Sequence, residues 1–413
     1  MGYNKTGKTV KKYILFLILL APIFKIAAQN KNEFNVKFTG FVNWTALYDS
    51  RKVVAARESH FLLYPKEELF GKDGIDLNDV NNFNMAVIMT RFGAKVSAPN
   101  FLDAVPTAFV ETEFMGNSDT DVNGLRIRHA YVSLDWQNTS LLLGQTWSPM
   151  FIPEAFPLQI GSNGGAPIQP FSRNPQIRLT QTINNFKLIA ALVTQRDYSS
   201  PGSIGTSNEY LRNAVIPDLH FHIQYKNDKN LFGVGGQYKK LRPATETSTG
   251  YFTDNTVIGY SMQGYSKLVF DKFVFAAQGL YGTNLADATM LGGYAVESVN
   301  PTTGAENYTP IKIYSAWVDL MYGSDLRAGL FAGYTENLGT VESTTGKFYA
   351  RGSNIKSVYR IAPRIEYQQA QTKFCFETEY TNAAYGTPDS YGKINNAKDV
   401  GNLRLNFSVY YFF

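Results

Sequence analysis

The stretch LRIRHAYVSLDWQNTSLLLGQTWSPMF, residues 125–151, sets Arg126, Arg128 and His129 at the head of an apolar run, and Arg173 and Arg178 follow in SRNPQIRLT. A guanidinium presents a planar fork that can hold a carboxylate through two parallel hydrogen bonds, so these residues are suited to anions wherever no local acid already occupies them. Across the turn near Leu102, Arg91 falls opposite or diagonal to Glu113, and Lys95 falls near Glu111. Across the turn at Gln371, Arg364 meets Glu377, with Glu366 and Glu379 close by. Cross-strand pairs of this kind create a transverse field without net charge. Arg178 differs, because across Asn184-Asn185 it faces Ala191 and no acid occurs in the preceding strand. Arg173 and Arg178 are therefore the leading anion-contacting candidates, and Arg360, facing Thr381, is the third. Arg364, Arg91, Arg128, His129, Glu111 and Glu113 complete the expected solute-facing set.

Other chemistry is weakly encoded. His220 and His222 alternate with Phe221 and Ile223 and so share one side, as two metal ligands would, but no cysteine or third histidine stands at ligand spacing. His129, Ser133 or Ser148, and Asp135 have the composition of a nucleophile triad without a spacing that specifies one. No glycine-rich phosphate loop opens a helix. No enzyme activity, metal or cofactor is expected.

The elements that must position these residues are strands. From Phe34 to Phe413 the chain alternates apolar and polar residues in segments of about ten, separated by turn-rich sequence. Sixteen strands are predicted, at 34–49, 83–98, 105–115, 125–136, 139–148, 175–183, 186–196, 218–226, 230–241, 256–270, 272–283, 311–322, 326–338, 356–369, 372–385 and 401–413. Short and long connections alternate, the final one long. An even strand number with short turns at one end and long loops at the other predicts an all-β, antiparallel transmembrane barrel of the bacterial outer membrane. The last strand agrees: Leu403, Leu405, Phe407, Val409, Tyr411 and Phe413 form one apolar face, which an edge strand in water would expose as an aggregation site. An aromatic terminus of this kind resembles that of other outer-membrane barrels, and the resemblance implies recognition by the barrel-assembly machinery through Phe413.

If Gln137-Asn138 is a two-residue hairpin loop, Leu134 faces Leu141, Val132 faces Leu143 and Ala130 faces Gln145 on the lipid side. Strict alternation then leaves Arg126 and Arg128 on the outer face near the rim, in head groups or a subunit interface. A bulge would swing them into the lumen, and spacing leaves both facings open. The next loop, residues 149–174, carries only Glu154 and Arg173 as charges, while Phe151, Ile152, Phe156, Leu158, Ile160 and Ile168 need something to pack against. It is expected to fold inward as a constriction loop, since an exposed loop of that length is ordinarily polar.

Residues 1–28 read as a signal peptide: Lys5, Lys8, Lys11 and Lys12 precede an apolar run broken by Pro22 and Lys25 and closed by Ala27-Ala28. The barrel domain is then 29–413. Removing the leader deletes five lysines and no acid, taking the formal charge from +5 to zero, so no global basic face argues for nucleic acid. A single cysteine, Cys375, excludes an internal disulfide.

Residues 125–151 followed by NPQIRLT resemble the DcaP-like family of trimeric porins, in which an arginine-rich strand precedes a GQTWS-like strand and a long inward loop. The resemblance is most specific over residues 125–180. It implies a sixteen-stranded passive channel, a homotrimer among outer-membrane lipids, and a preference for anionic, dicarboxylate-like solutes. A barrel-embedded hydrolase and a structural or adhesion barrel are the alternatives.

Overall fold

The computed structural model describes residues 34–413, and the predicted leader lies outside the described residues. Strands can cross a bilayer only if every backbone group is paired, which requires a closed sheet. The chain meets that condition with sixteen antiparallel strands. In order they are Asn35–Asp49, Asn82–Ala86 continued by Arg91–Ser97, Val105–Glu113, Arg126–Asp135, Thr139–Trp147, Arg173–Ile183, Phe186–Val193, Asp218–Lys226, Leu231–Leu241, Val257–Phe270, Phe273–Thr283, Glu306–Gly323, Leu326–Thr340, Ile355–Gln369, Thr372–Pro388 and Ile394–Phe412. First and last pair to close the ring, with Phe41 opposite Phe412 and Asp49 opposite Arg404.

Burial is inverted relative to a water-soluble sheet. Ile361, Ile365, Phe374, Phe376, Leu403 and Phe407 are exposed on the outer wall, whereas Arg360, Arg364, Glu377, Glu379 and Arg404 are buried inside. The final connection is shorter than its predicted length. Its two strands continue past the wall as a hairpin, capped where the Asp389 carboxylate accepts the backbone N–H groups of Tyr391 at 2.9 Å and Lys393 at 3.0 Å.

The turn at 137–138 sets the predicted register, with Leu134 opposite Leu141, Val132 opposite Leu143 and Ala130 opposite Gln145. Further up, alternation breaks: Glu111 pairs with His129 and Thr112 with Ile127, so Arg128 is the extra residue of a bulge. Arg126, Arg128 and His129 are all buried in the lumen, where Glu111 and Glu113 of the neighbouring strand receive the charge. Of the two facings the sequence left open, the inward one is found.

The lumen holds the molecule's apolar core. The loop after Trp147 folds inward as expected, and the first long loop joins it: its hairpin, Val53–Ala56 with Phe61–Pro65, also packs inside the barrel. Phe61, Leu63 and Tyr64 from one loop meet Met150, Phe151, Ala166 and Phe171 from the other, against Leu280, Ile313, Ile355 and Val358 of the wall.

Candidate functional site

The inward loop leaves and re-enters the wall at the facing pair Trp147 and Arg173. Phe151 stacks on Trp147 with ring centroids 3.8 Å apart, which turns the chain into the lumen. The far wall then captures it. Ile160 N–H donates to the Glu377 carboxylate at 3.2 Å, Arg360 Nη1 donates to Ala166 O at 2.9 Å, Ser315 Oγ to Ile168 O at 2.6 Å, and Trp317 Nε1 to Gln169 Oε1 at 2.6 Å. The first-loop hairpin is held by the same parts: Arg360 Nη2 donates to Leu63 O at 3.1 Å, Asn163 Nδ2 to Leu62 O at 2.8 Å, and Arg404 Nη2 to Ser59 O at 2.7 Å. His60, at the hairpin tip, is buried. That burial, with the Arg404 guanidinium adding and Asp49 opposing, pulls its imidazole pKa down to about 4 and keeps it neutral at neutral pH.

On one side of the loop lies a dense charge cluster. Arg126 pairs with Glu113, Arg128 with Glu111 at 2.7 Å and Glu113 at 2.8 Å, and Arg91 with Glu113 at 3.5 Å. Arg173, only 1% exposed, pairs with Asp197 at 2.9 Å and lies over the Trp147 ring at 4.9 Å. A cavity of about 500 Å³ opens beside this cluster, lined by Arg91, Glu111, Arg128, His129, Lys373 and a run of aromatic rings from Phe41 to Phe412.

On the other side sits Arg178. It faces Ala191 as the sequence predicts, and its Nε donates to Gln176 Oε1 at 2.9 Å and its Nη2 to Trp147 O at 2.5 Å. Among the described residues no carboxylate lies within 4.0 Å of it or of Lys187. Both line a cavity of about 180 Å³ with Thr180, His222, Gln224 and Glu154. Two cations against one acid, Glu154, leave this niche with a net positive lining.

Several sequence expectations are corrected. Arg173 is not unpaired; its acid, Asp197, lies beyond the next strand, outside the window searched by adjacent-strand reasoning. Arg360 is fully buried, and its contacts with Glu379 at 3.3 Å, Thr381 and both loops make it an anchor with no face left for solute. Arg364 stands opposite Glu377, as expected, yet its guanidinium forks onto Asp319 at 2.7 and 3.0 Å, two strands away. Gly329 permits this: a Cβ there would sit 2.6 Å from Arg364 Cζ. Lys95 faces Phe109, not Glu111. Lys187, Lys373 and the first-loop hairpin went unrecognised; the apolar run Phe61–Tyr64 inside a long loop was the available signal for the hairpin.

His129 Nδ1 bonds the Thr146 hydroxyl at 3.0 Å, while Ser133 and Asp135 bond each other at 2.9 Å. His220 and His222 share a face, but among the described residues no group of three or more His, Cys, Asp or Glu is arranged for a metal.

No known family model matches this chain, and no curated relative matches it. Solved structures do resemble it. The crystal structure of the outer membrane channel DcaP of Acinetobacter baumannii superposes over 94% of this chain and 99% of that one, with a TM-score of 0.67 at 18% identity. The anion-selective porin from Comamonas acidovorans covers 92% of this chain and 100% of its own, with TM-score 0.55 and 10% identity. OmpT of Vibrio cholerae, in its trimer form, covers 92% and 100%, with TM-score 0.56 and 11% identity. The closed barrel, the inward loop and these likenesses together give the chain the fold of outer-membrane porins and channels, DcaP among them.

Proposed function

We propose that this chain is a passive diffusion channel of the bacterial outer membrane, assembled as a homotrimer, that admits small hydrophilic solutes and favours anionic ones such as dicarboxylates. The observation that carries the reading is the pair Arg178 and Lys187, luminal cations beside the inward loop without an ion-pair partner among the described residues. In a low-dielectric constriction the nearest unmatched charges govern the potential more than the net sum does. Two charge-assisted contacts supply on the order of 3 kcal/mol, a millimolar affinity that allows release. Support for the trimer comes from the trimeric form of one structural relative. Arg126 and Arg128, being inside, no longer call for a partner subunit. Reversal potential in a salt gradient across a planar bilayer tests the proposal. The wild-type channel is expected to be anion-selective, and Arg178→Ala to lose part of that selectivity together with block by a dicarboxylate. Cation selectivity, or an Arg178→Ala channel with unchanged reversal potential and block, overturns it.

A further inference from the structure

The outer wall carries one feature that diffusion does not use. Above the strands Arg173–Ile183, Phe186–Val193 and Asp218–Lys226, a groove of about 420 Å³ runs along the rim, lined by Pro175, Thr194, Arg196, Leu211, Arg212 and Val215 among others. Its floor is the upper edge of the lipid belt, since Ile177, Leu192 and Leu219 directly below are exposed on the outer wall. Eight residues separate Phe186, beside the short turn, from Thr194, and at about 3.4 Å each, tilted about 45°, they span most of a hydrocarbon core of about 25 Å. Thr194 therefore stands at the outer boundary of the membrane.

Two properties of the groove are costly unless something occupies it. Val215, at the end of the short helix Glu209–Ala214, has φ 65° and is 86% exposed, with Ile216 beside it at 40%. A β-branched residue in the left-handed region is strained, and such strain persists where a function holds it. Arg196 and Arg212 flank these apolar side chains, and neither guanidinium has an acidic partner within 4.0 Å among the described residues. An apolar slot continuous with the lipid belt and topped by two free guanidiniums has the chemistry of a lipid site: acyl chain below, phosphate above.

We propose that this groove binds a phosphorylated lipid of the outer leaflet, its phosphate between Arg196 and Arg212 and an acyl chain against Val215, Ile216 and the wall beneath. The inference rests on the outer-membrane placement but not on solute selectivity, and its readout is separate from conductance. Full-length protein in mild detergent is titrated with bis-phosphorylated lipid A or with phosphatidylcholine, and bound lipid is counted by native mass spectrometry. The expected result is saturable retention of lipid A over phosphatidylcholine, weakened about thirtyfold in R196Q/R212Q at roughly fivefold per arginine, with channel conductance unchanged. Equal retention of both lipids, or retention untouched by the double substitution, overturns the proposal. A V215C variant in a Cys375→Ser background supplies the remaining arm: subunits joined by a disulfide at position 215 mean that a second copy covers the groove, and the lipid site is then wrong.

Discussion

Replacing Arg360 by methionine keeps the unbranched stem and removes the one guanidinium that touches the wall and both inward loops. The lost contacts are Ala166 O at 2.9 Å, Leu63 O at 3.1 Å and Leu62 O at 3.4 Å, with Thr381 Oγ1 at 2.9 Å and the Glu379 carboxylate at 3.3 Å on the wall. Hydrogen bonds from a charged donor are worth about 1.5–3 kcal/mol each, and removing one partner of a buried ion pair costs about 3–5 kcal/mol. Thr381 still donates to Glu379 at 3.1 Å, which moderates the second cost. A loss of about 3–4 kcal/mol in loop docking raises the undocked population by a few hundredfold. Hydrogen exchange should read this as lost protection in residues 61–65 and 163–169 together, and single-channel traces as excess open-channel noise. Arg364→Met is the control, because Arg364 bonds Asp319 on the wall and makes no hydrogen bond to the first-loop hairpin. If the hairpin keeps its protection in Arg360→Met, or loses as much in Arg364→Met, the anchoring role assigned to Arg360 is wrong.

Acidification should act on the same assembly through His60. Its docked pKa of about 4 lies below the free value of 6.5, so the undocked hairpin binds the proton more tightly; docking is at full strength above pH 6.5 and weakens as pH falls towards 4, by about 3 kcal/mol in all. Exchange of hairpin amides followed from pH 7 to 4 should show that loss, and His60→Phe should flatten it; a wild-type profile as flat as that of the variant refutes the assignment. At the seam, Phe413 N–H donates to Gly40 O at 3.1 Å and Gly40 N–H to Phe413 O at 3.1 Å. Deleting Phe413 removes both bonds and the aromatic end of the outer face. The fraction of chain that runs as folded barrel on an unheated gel should fall several-fold, and an unchanged fraction counts against a role in closure.

The fold was legible because a bilayer forces a rule that a single sequence can display. Leu403 through Phe413 alternate so regularly that facing follows from period two alone. The charge contacts were less legible wherever they leave the adjacent strand. Adjacent-strand pairing found Arg91 with Glu113, and it missed Asp319 for Arg364 and Asp197 for Arg173, because Arg364 reaches over Gly329 to the strand beyond its neighbour and Asp197 stands just past the end of the strand beside Arg173. The bulge at Arg128 belongs to the same class. There the guanidinium meets two carboxylates on the neighbouring strand, contacts that side-chain alternation does not encode. Arg178 was read correctly since its facing residue, Ala191, is local and apolar.

The inward loop starts between the fifth and sixth strands and is gripped by Ser315, Arg360 and Glu377, on the twelfth, fourteenth and fifteenth. In a ring of sixteen that is close to a diameter. A hoop of fixed circumference braced by one chord resists ovalisation both along the chord and at right angles to it, because narrowing one diameter widens the other. On either side of the chord lies a cavity of different lining: one beside the sixth to eighth strands, with Arg178 and Lys187, and one beside the fifteenth round to the fifth, with Arg128, Lys373 and the aromatic rings. A substitution at Arg178 therefore alters the lining on one side of the chord and leaves that of the other as it stands.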